Sequence, residues 1–211
     1  MGIRPPAVFV VGNVVKLRED MRWFDNRPLF GKRIIVTRSR SQASRLVTVL
    51  DQKGAETLEI PTIAIRDPSD DFKGMDEALD RLEMYDWLIF TSQNAVDSFF
   101  RRLYQSGRDT RALGHMKIGA IGPATARQLT RHGLHADCVP AKYKAENLLA
   151  EMKPLLKGYE KVLIPRAKVA RSVLPEGLRD LGCRVDVVEA YRTEADTAHK
   201  EELLDVLEHH G

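Results

Sequence analysis

Residues 85–103 read YDWLIFTSQNAVDSFFRRL. Trp87 to Phe90 is an unbroken apolar run, and Thr91 and Ser92 come directly after it. Ala95, Val96, Phe99, Phe100 and Leu103 then recur at helical spacing. A short, wholly apolar run is what a strand buried on both faces requires, as in a parallel sheet. A hydroxyl placed just before a helical period is the usual N-terminal cap. The stretch therefore predicts strand, sharp turn at Thr91, Ser92 and Asn94, then helix. Its hydroxyls have two readings: capping alone, or capping beside a site where the first helical amides hold an anion.

The same pattern recurs. RIIVTRSRSQASRLVTVLDQKGAETLEIP (33–61) and KVLIPRAKVARSVLPEGLRDLGCRVDVVEAY (161–191) each read as strand, polar loop, helix, glycine stop and strand. In both, an Arg sits just past the first strand (Arg38, Arg166) and a Gly comes 16 residues later (Gly54, Gly182). Leu46, Val49 and Leu50 form the apolar stripe of the first copy. KIGAIGPATARQLTRHGLHADCVP (117–140) is a shorter copy whose helix ends near Gly133. Repeated units of this kind predict parallel sheets covered by helices. Right-handed crossovers would put all four strand-to-helix junctions beyond the carboxyl ends of their strands, where such sheets bind ligands. Polar breaks at EIPTIAIRDPSDD and YRTEADTAHKE are the expected domain crossings. Residues 1–31 form a leading segment, with a short strand at Val8–Val11, a charged helical or irregular piece, and a turn at NRPLFGK.

The chain has 211 residues, enough for one large core or two small ones. Its formal charge of +3 is too mild to mark a nucleic-acid binder. The charge is uneven: Pro140 to Arg171 holds eight Lys/Arg against three Glu, and Glu194 to Glu208 holds six acids against one Lys. The basic region either faces an anionic ligand or is a solvated surface. Cys138 and Cys183 stand apart with no CxxC, so no disulfide framework is expected and a reducing cytoplasm is. AVFVVGNVV is too short to span a membrane and lacks the order of a secretory signal.

Several chemistries lack their motifs. GAIGPATA is not GxGxxG, Pro123 suits a first helical turn, and no GKS/T phosphate loop is present. His132 and His135 flank a glycine stop and have no HExxH or cysteine pair, so no metal site is expected. Ser92 lacks a GxSxG elbow, and neither cysteine has an identifiable base. At the junctions, Ser41, Ser92 and Thr125 are candidate caps, and Thr37, Arg38 and Ser39 come after the first strand. Tyr191 ends VDVVEAY beside the second polar break, where a phenol would either donate into a cleft or pack as an edge residue.

Taken together, GKRIIVTRSRSQASRLVTVLDQKGAETLEIPTIAI, YDWLIFTSQNAVDSFF, IGAIGPATARQLTRHGLHAD and VLIPRAKVARSVLPEGLRDLGCRVDVVEAYRT, in that order, resemble uroporphyrinogen-III synthase over about residues 32–193. PPAVFVVGNVVKLREDMRWFDNRPLFGKR (5–33) resembles the final segment of uroporphyrinogen-III C-methyltransferase, which precedes the synthase in some bacterial fusions. No methyltransferase body accompanies it, so S-adenosylmethionine binding is not assigned to this chain.

The resemblance implies an α/β fold of two parallel-sheet domains joined by two crossings, with the active site in the cleft between them. Residues 32–66 and 194–211 would form the first domain, incomplete here because its return limb stops at Gly211, and 67–193 the second. The implied reaction closes hydroxymethylbilane, a linear tetrapyrrole with eight carboxylates, into uroporphyrinogen III. Water leaves ring A, and ring D inverts through a spiro intermediate. This is a step of haem, sirohaem and cobalamin biosynthesis that needs no metal or organic cofactor. Tyr191 matches the tyrosine thought to assist loss of the hydroxyl. Thr37, Ser92, Asn94 and Thr125 would bind carboxylates, with Arg38, Lys144 and Arg166 pairing with them at longer range. The implied enzyme is cytoplasmic and binds neither membrane nor nucleic acid. The alternatives are a non-catalytic binder of a polyanion, a nucleotide-dependent transferase, and an inactive fragment.

Overall fold

The computed structural model describes residues 8–38 and 40–209. Ser39 and the side chain of Ser41 lie outside what is described. The chain divides into two compact units, Met1–Ala64 with Ala195–Gly211, and Ile65–Glu194.

In the first unit, β1 (Arg33–Val36) and β2 (Glu56–Glu59) form a parallel two-stranded sheet, registered Arg33↔Glu56 to Val36↔Glu59. The leading segment holds a 3-10 turn at Asn13–Leu17 and the short α1 (Arg18–Met21). Helix α2 (Arg40–Gln52) connects the two strands and stops at Gly54, whose φ of 88° is easy only for glycine. Val36 and Ile60 are the buried hydrophobic residues among those described in this unit, and Leu46 and Val49 on α2 are each 42% exposed. The Arg27 guanidinium lies 4.8 Å from the Trp23 ring centre and 4.5 Å from that of Phe24. Val8–Val11 is exposed and irregular, not a strand. Apolar, β-branched sequence supports a strand only where a neighbouring strand takes up its backbone groups, and among the described residues none pairs there. Helix α8 (Lys200–His209) closes the described chain.

The second unit is built on a five-stranded sheet of β3 (Ile63–Arg66), β4 (Trp87–Phe90), β5 (Lys117–Ala120), β6 (Lys161–Ala167) and β7 (Arg184–Ala195), in the order β3-β7-β6-β4-β5, the unit boundaries falling inside β3 and at the last residue of β7. The pairs β4–β5, β4–β6 and β6–β7 are parallel. Helices α3 (Lys73–Leu79), α4 (Gln93–Gln105) and α5 (Pro123–Thr130) pack with Leu88, Phe90, Ile118 and Leu163. Helices α6 (Ala145–Met152) and α7 (Val173–Asp180) pack with Trp87, Ile89, Val162 and Ile164. Alternate residues of β4 thus enter opposite cores, which is why the strand reads as unbroken apolar sequence. The aromatic rings of Phe90, Phe99 and Phe100 meet at centroid distances of 5.4–6.2 Å.

Two strand boundaries differ from the sequence reading. EIPTIAIRDPSDD contains β3 before its polar break begins, and YRTEA belongs to β7, so Tyr191 lies inside that strand and not at its end. Exposed residues late in β7 carry no apolar alternation, yet their backbone is still extended strand, so periodicity marks the end too early.

Candidate functional site

The carboxyl end of the second unit's sheet gathers the chemistry. Ser92 is the N-cap of α4, in extended conformation, and its Oγ accepts a hydrogen bond from the Ala95 amide at 3.1 Å. The same Oγ lies 3.0 Å from the Tyr191 hydroxyl. The capping hydroxyl and the contact with Tyr191 are therefore one arrangement at this residue. Thr91 precedes it just past the end of β4, and Asn94 occupies the second position of α4.

Tyr191 reaches Ser92 because β7 is bulged. Arg166 pairs with Glu189, but the next residue, Ala167, pairs with Tyr191, so Ala190 is the extra residue. A bulge breaks side-chain alternation and re-aims the residues beyond it. Accordingly Ala190 and Tyr191 both enter the same core as Val188, Tyr191 with 8% of its surface exposed. The Ser98 hydroxyl, from α4, donates to the Ala190 carbonyl, and the Lys168 amide donates to the Tyr191 carbonyl at 3.0 Å. Sequence reasoning does not single out Ser98. Its signal is a polar residue inside the otherwise apolar stripe Ala95, Val96, Ser98, Phe99.

The loop before α3 is tied to the same edge. The Ser69 amide and hydroxyl donate to the Glu189 carboxylate at 2.8 and 2.6 Å, and Lys168 Nζ donates to Ser69 Oγ at 2.9 Å.

Other expected site residues stand differently. Thr125 does not cap α5: Gly122 is the N-cap, Pro123 takes the first position, and Thr125 lies in the third, 4% exposed. Backbone amides, not the threonine hydroxyl, are what that helix end offers, because proline pre-sets the first turn and lacks a donor itself. Lys144 is the exposed N-cap of α6, with no side-chain capping bond. Arg166 lies within β6, not past it, because the strand continues to Ala167. Its Nη1 donates to the Arg171 carbonyl at 2.7 Å and its Nη2 to the Ala170 carbonyl at 3.3 Å. Burial, then the nearby Arg179, lowers its pKa. Thr37 and Arg38 are exposed just after β1 in the first unit, where the Thr37 carbonyl accepts from the Thr62 amide at 3.3 Å.

A cavity of about 180 Å³ opens at this edge of the second unit, bounded by Thr91, Ile164, Arg166, Arg171, Leu174 and Pro175 among others. Among the described residues, no group of three or more His, Cys, Asp or Glu is arranged to hold a metal ion. His132 instead stacks on Phe100 at 4.1 Å, its Nδ1 bonded to the Tyr104 hydroxyl at 2.9 Å, and burial lowers its pKa. Cys138 and Cys183 are buried free thiols. Among the described residues, no helix is long and apolar enough to cross a membrane.

Known proteins share both the sequence and this fold. The family described as uroporphyrinogen-III synthase HemD matches residues 44–211. A porphyrin biosynthesis protein HemD of Ruminiclostridium josui is 35% identical over 193 residues, 92% of this chain and 38% of its own length. A putative uroporphyrinogen-III synthase of Methanothermobacter thermautotrophicus is 37% identical over 175 residues, 82% of this chain and 67% of its own. The chain thus spans well under half of one relative and about two thirds of the other. Among solved structures, a mutant uroporphyrinogen III synthase of Thermus thermophilus shares the fold with a TM-score of 0.61, at 22% identity, covering 84% of this chain and 68% of its own. The α/β fold, the sequence matches and the extent of the family model agree: the chain belongs to the uroporphyrinogen-III synthase family.

Proposed function

We propose that this chain carries the cyclising site of a uroporphyrinogen-III synthase, which converts hydroxymethylbilane to uroporphyrinogen III with loss of water and inversion of ring D. The observation that carries the reading is the 3.0 Å pairing of the Tyr191 phenol with the Ser92 hydroxyl at the carboxyl edge of the sheet. Because Ser92 Oγ already accepts the Ala95 amide, its own hydrogen is available to the Tyr191 oxygen. With Ser92 as the donor of that bond, the phenol hydrogen is free for the departing hydroxyl of ring A. The carbon–oxygen bond breaks, its electrons leave with oxygen, and the phenol proton completes water.

The rest of the task is conformational. Ring D must meet the electrophilic carbon through its substituted position, since direct closure gives the type I isomer. Holding reactive ends together removes about 7–11 kcal/mol of barrier in favourable intramolecular cases. In this reading, backbone amides at the starts of α4 and α5, with Asn94, hold acetate and propionate groups, while Lys144 and Arg166 bring further positive groups to the octacarboxylate. The whole reaction would proceed without an added cofactor.

The reading extends to the leading segment as the end of a methyltransferase fused ahead of the synthase in the parent protein. Its support is the resemblance of residues 5–33 to the final segment of that methyltransferase. Exposed Val8, Phe9, Val10 and Val11 suit an interdomain segment. The test of function is the ratio of type III to type I product from hydroxymethylbilane, using a chain extended to its relatives' length. Accumulation of type III supports the synthase reading. Tetrapyrrole binding without type III product favours a binding protein instead.

A further inference from the structure

The second unit's strand order reverses at β4. From β4 the chain moves outward to β5, then returns across β4 to β6 and continues to β7. The helices on the two sides of that reversal lie on opposite faces, α4 and α5 on one and α6 and α7 on the other. Where they part, at the carboxyl ends of the strands, an open α/β sheet leaves a crevice suited to a ligand. The described pairing of β4 with β6 covers Trp87↔Val162 and Leu88↔Leu163. Beyond it lies the cavity of about 180 Å³, with Thr91 past the end of β4 and Ile164 and Arg166 on β6.

We infer that this cavity holds one short-chain carboxylate, a propionate-sized arm of the tetrapyrrole, between Arg166 and Arg171. The identity of the occupant rests on the proposed synthase activity; the chemistry of the pocket does not. Ile164, Leu174 and Pro175 supply apolar wall for methylenes. Arg166 is held by two backbone carbonyls, which fix its plane without neutralising its charge. A guanidinium has five N–H donors, so three remain beyond those two bonds. Arg179 is the neighbouring charge acting on Arg166, and it is of the same sign. The second cation of the pocket, Arg171, is already paired with Glu146 at 3.2 Å across the exposed rim. An exposed pair of this kind is weak and exchangeable. A carboxylate arm entering the cavity would meet a fixed, uncompensated Arg166 and take over Arg171 from Glu146.

The test uses the full chain, labelled with nitrogen-15, titrated with sodium propionate at constant ionic strength, with propionamide as the neutral match. Saturable shifts of the Arg166 Nε–H and Thr91 amide with propionate alone are expected. Arg166→Gln should weaken them about tenfold or more, the loss of a charge-assisted hydrogen bond. Because Arg166 also secures the 170–171 backbone, Glu146→Gln provides the second variant: removal of the competing carboxylate should tighten binding about threefold. Absent shifts, equal shifts with propionamide, or no tightening in Glu146→Gln would overturn the pocket. The octacarboxylate uroporphyrin III should displace bound propionate; failure to do so overturns the tetrapyrrole arm as occupant. Propionate binding in a protein that makes no type III product would count against the synthase activity and leave the pocket standing.

Discussion

The Ser92 hydroxyl stands 3.0 Å from the Tyr191 hydroxyl while accepting the Ala95 amide, so the residue that starts α4 also orients the phenol on β7. Ser92→Ala removes both roles. We expect a loss of about 1 kcal/mol of stability from the missing cap. Turnover in the extended enzyme should fall about tenfold or more, with little change in KM, since in the proposed reaction the bond orients the proton donor. Ser92→Thr, which keeps the hydroxyl, should restore most of both. If denaturation shifts while kcat stays level, Ser92 is a cap and nothing more.

The sequence states much of this arrangement and hides its decisive step. Trp87–Phe90 reads as a doubly buried strand because its residues feed two cores. Gly54 and Gly182 read as helix stops because left-handed backbone excludes most side chains, and their φ angles are 88° and 91°. What periodicity cannot show is the extra residue in β7. A bulge is a mismatch between two strands, so nothing local to VDVVEAY announces it. Under strict alternation Ala190 and Tyr191 would point to opposite faces of the sheet. The cap expected at Thr125 is displaced for a different, local reason: proline at the first helical position leaves Gly122 as cap and puts the threonine inside the helix.

Ser98 holds the bulge by donating to the Ala190 carbonyl in a buried setting. Ser98→Ala leaves that carbonyl without the hydroxyl, at a cost of about 1–3 kcal/mol. Chemical denaturation should show the destabilisation, and kcat in the extended enzyme should fall because Tyr191 loses its fixed aim. Full activity in the variant would show that the bulge holds itself.

Glu160 is 7% exposed, and its carboxylate accepts the amides of Lys157, Gly158 and Tyr159 at 2.6, 2.9 and 3.2 Å. Burial raises its pKa, but the backbone bonds together outweigh burial and leave it lowered. A lowered folded pKa means stability that is present above the unfolded value, about 4.3, and is lost as pH falls through the folded one. Glu160→Gln should cost about 2 kcal/mol at neutral pH, leaving amides poorly matched. It should also flatten the stability profile below pH of about 4.3. A variant with the wild-type acid limb would place that dependence on other groups.

Gly182 combines a φ of 91° with a close approach: a Cβ there would lie 2.3 Å from the Gly158 carbonyl oxygen. Backbone must move to admit it. Gly182→Ala should therefore cost about 2–3 kcal/mol, from left-handed strain and displacement of the 157–160 turn. A melting temperature equal to wild type would contradict the tight contact between α7's end and that turn.

The most direct measurement is the rate and isomer composition of product from hydroxymethylbilane for the extended enzyme and its Tyr191→Phe variant. Loss of the phenol should slow turnover by about 10²-fold or more, the lower range for a positioned proton donor. The remaining product should shift toward the type I isomer formed by uncatalysed closure. Wild-type turnover with undiminished type III product in Tyr191→Phe would contradict the assignment of Tyr191 as the proton donor.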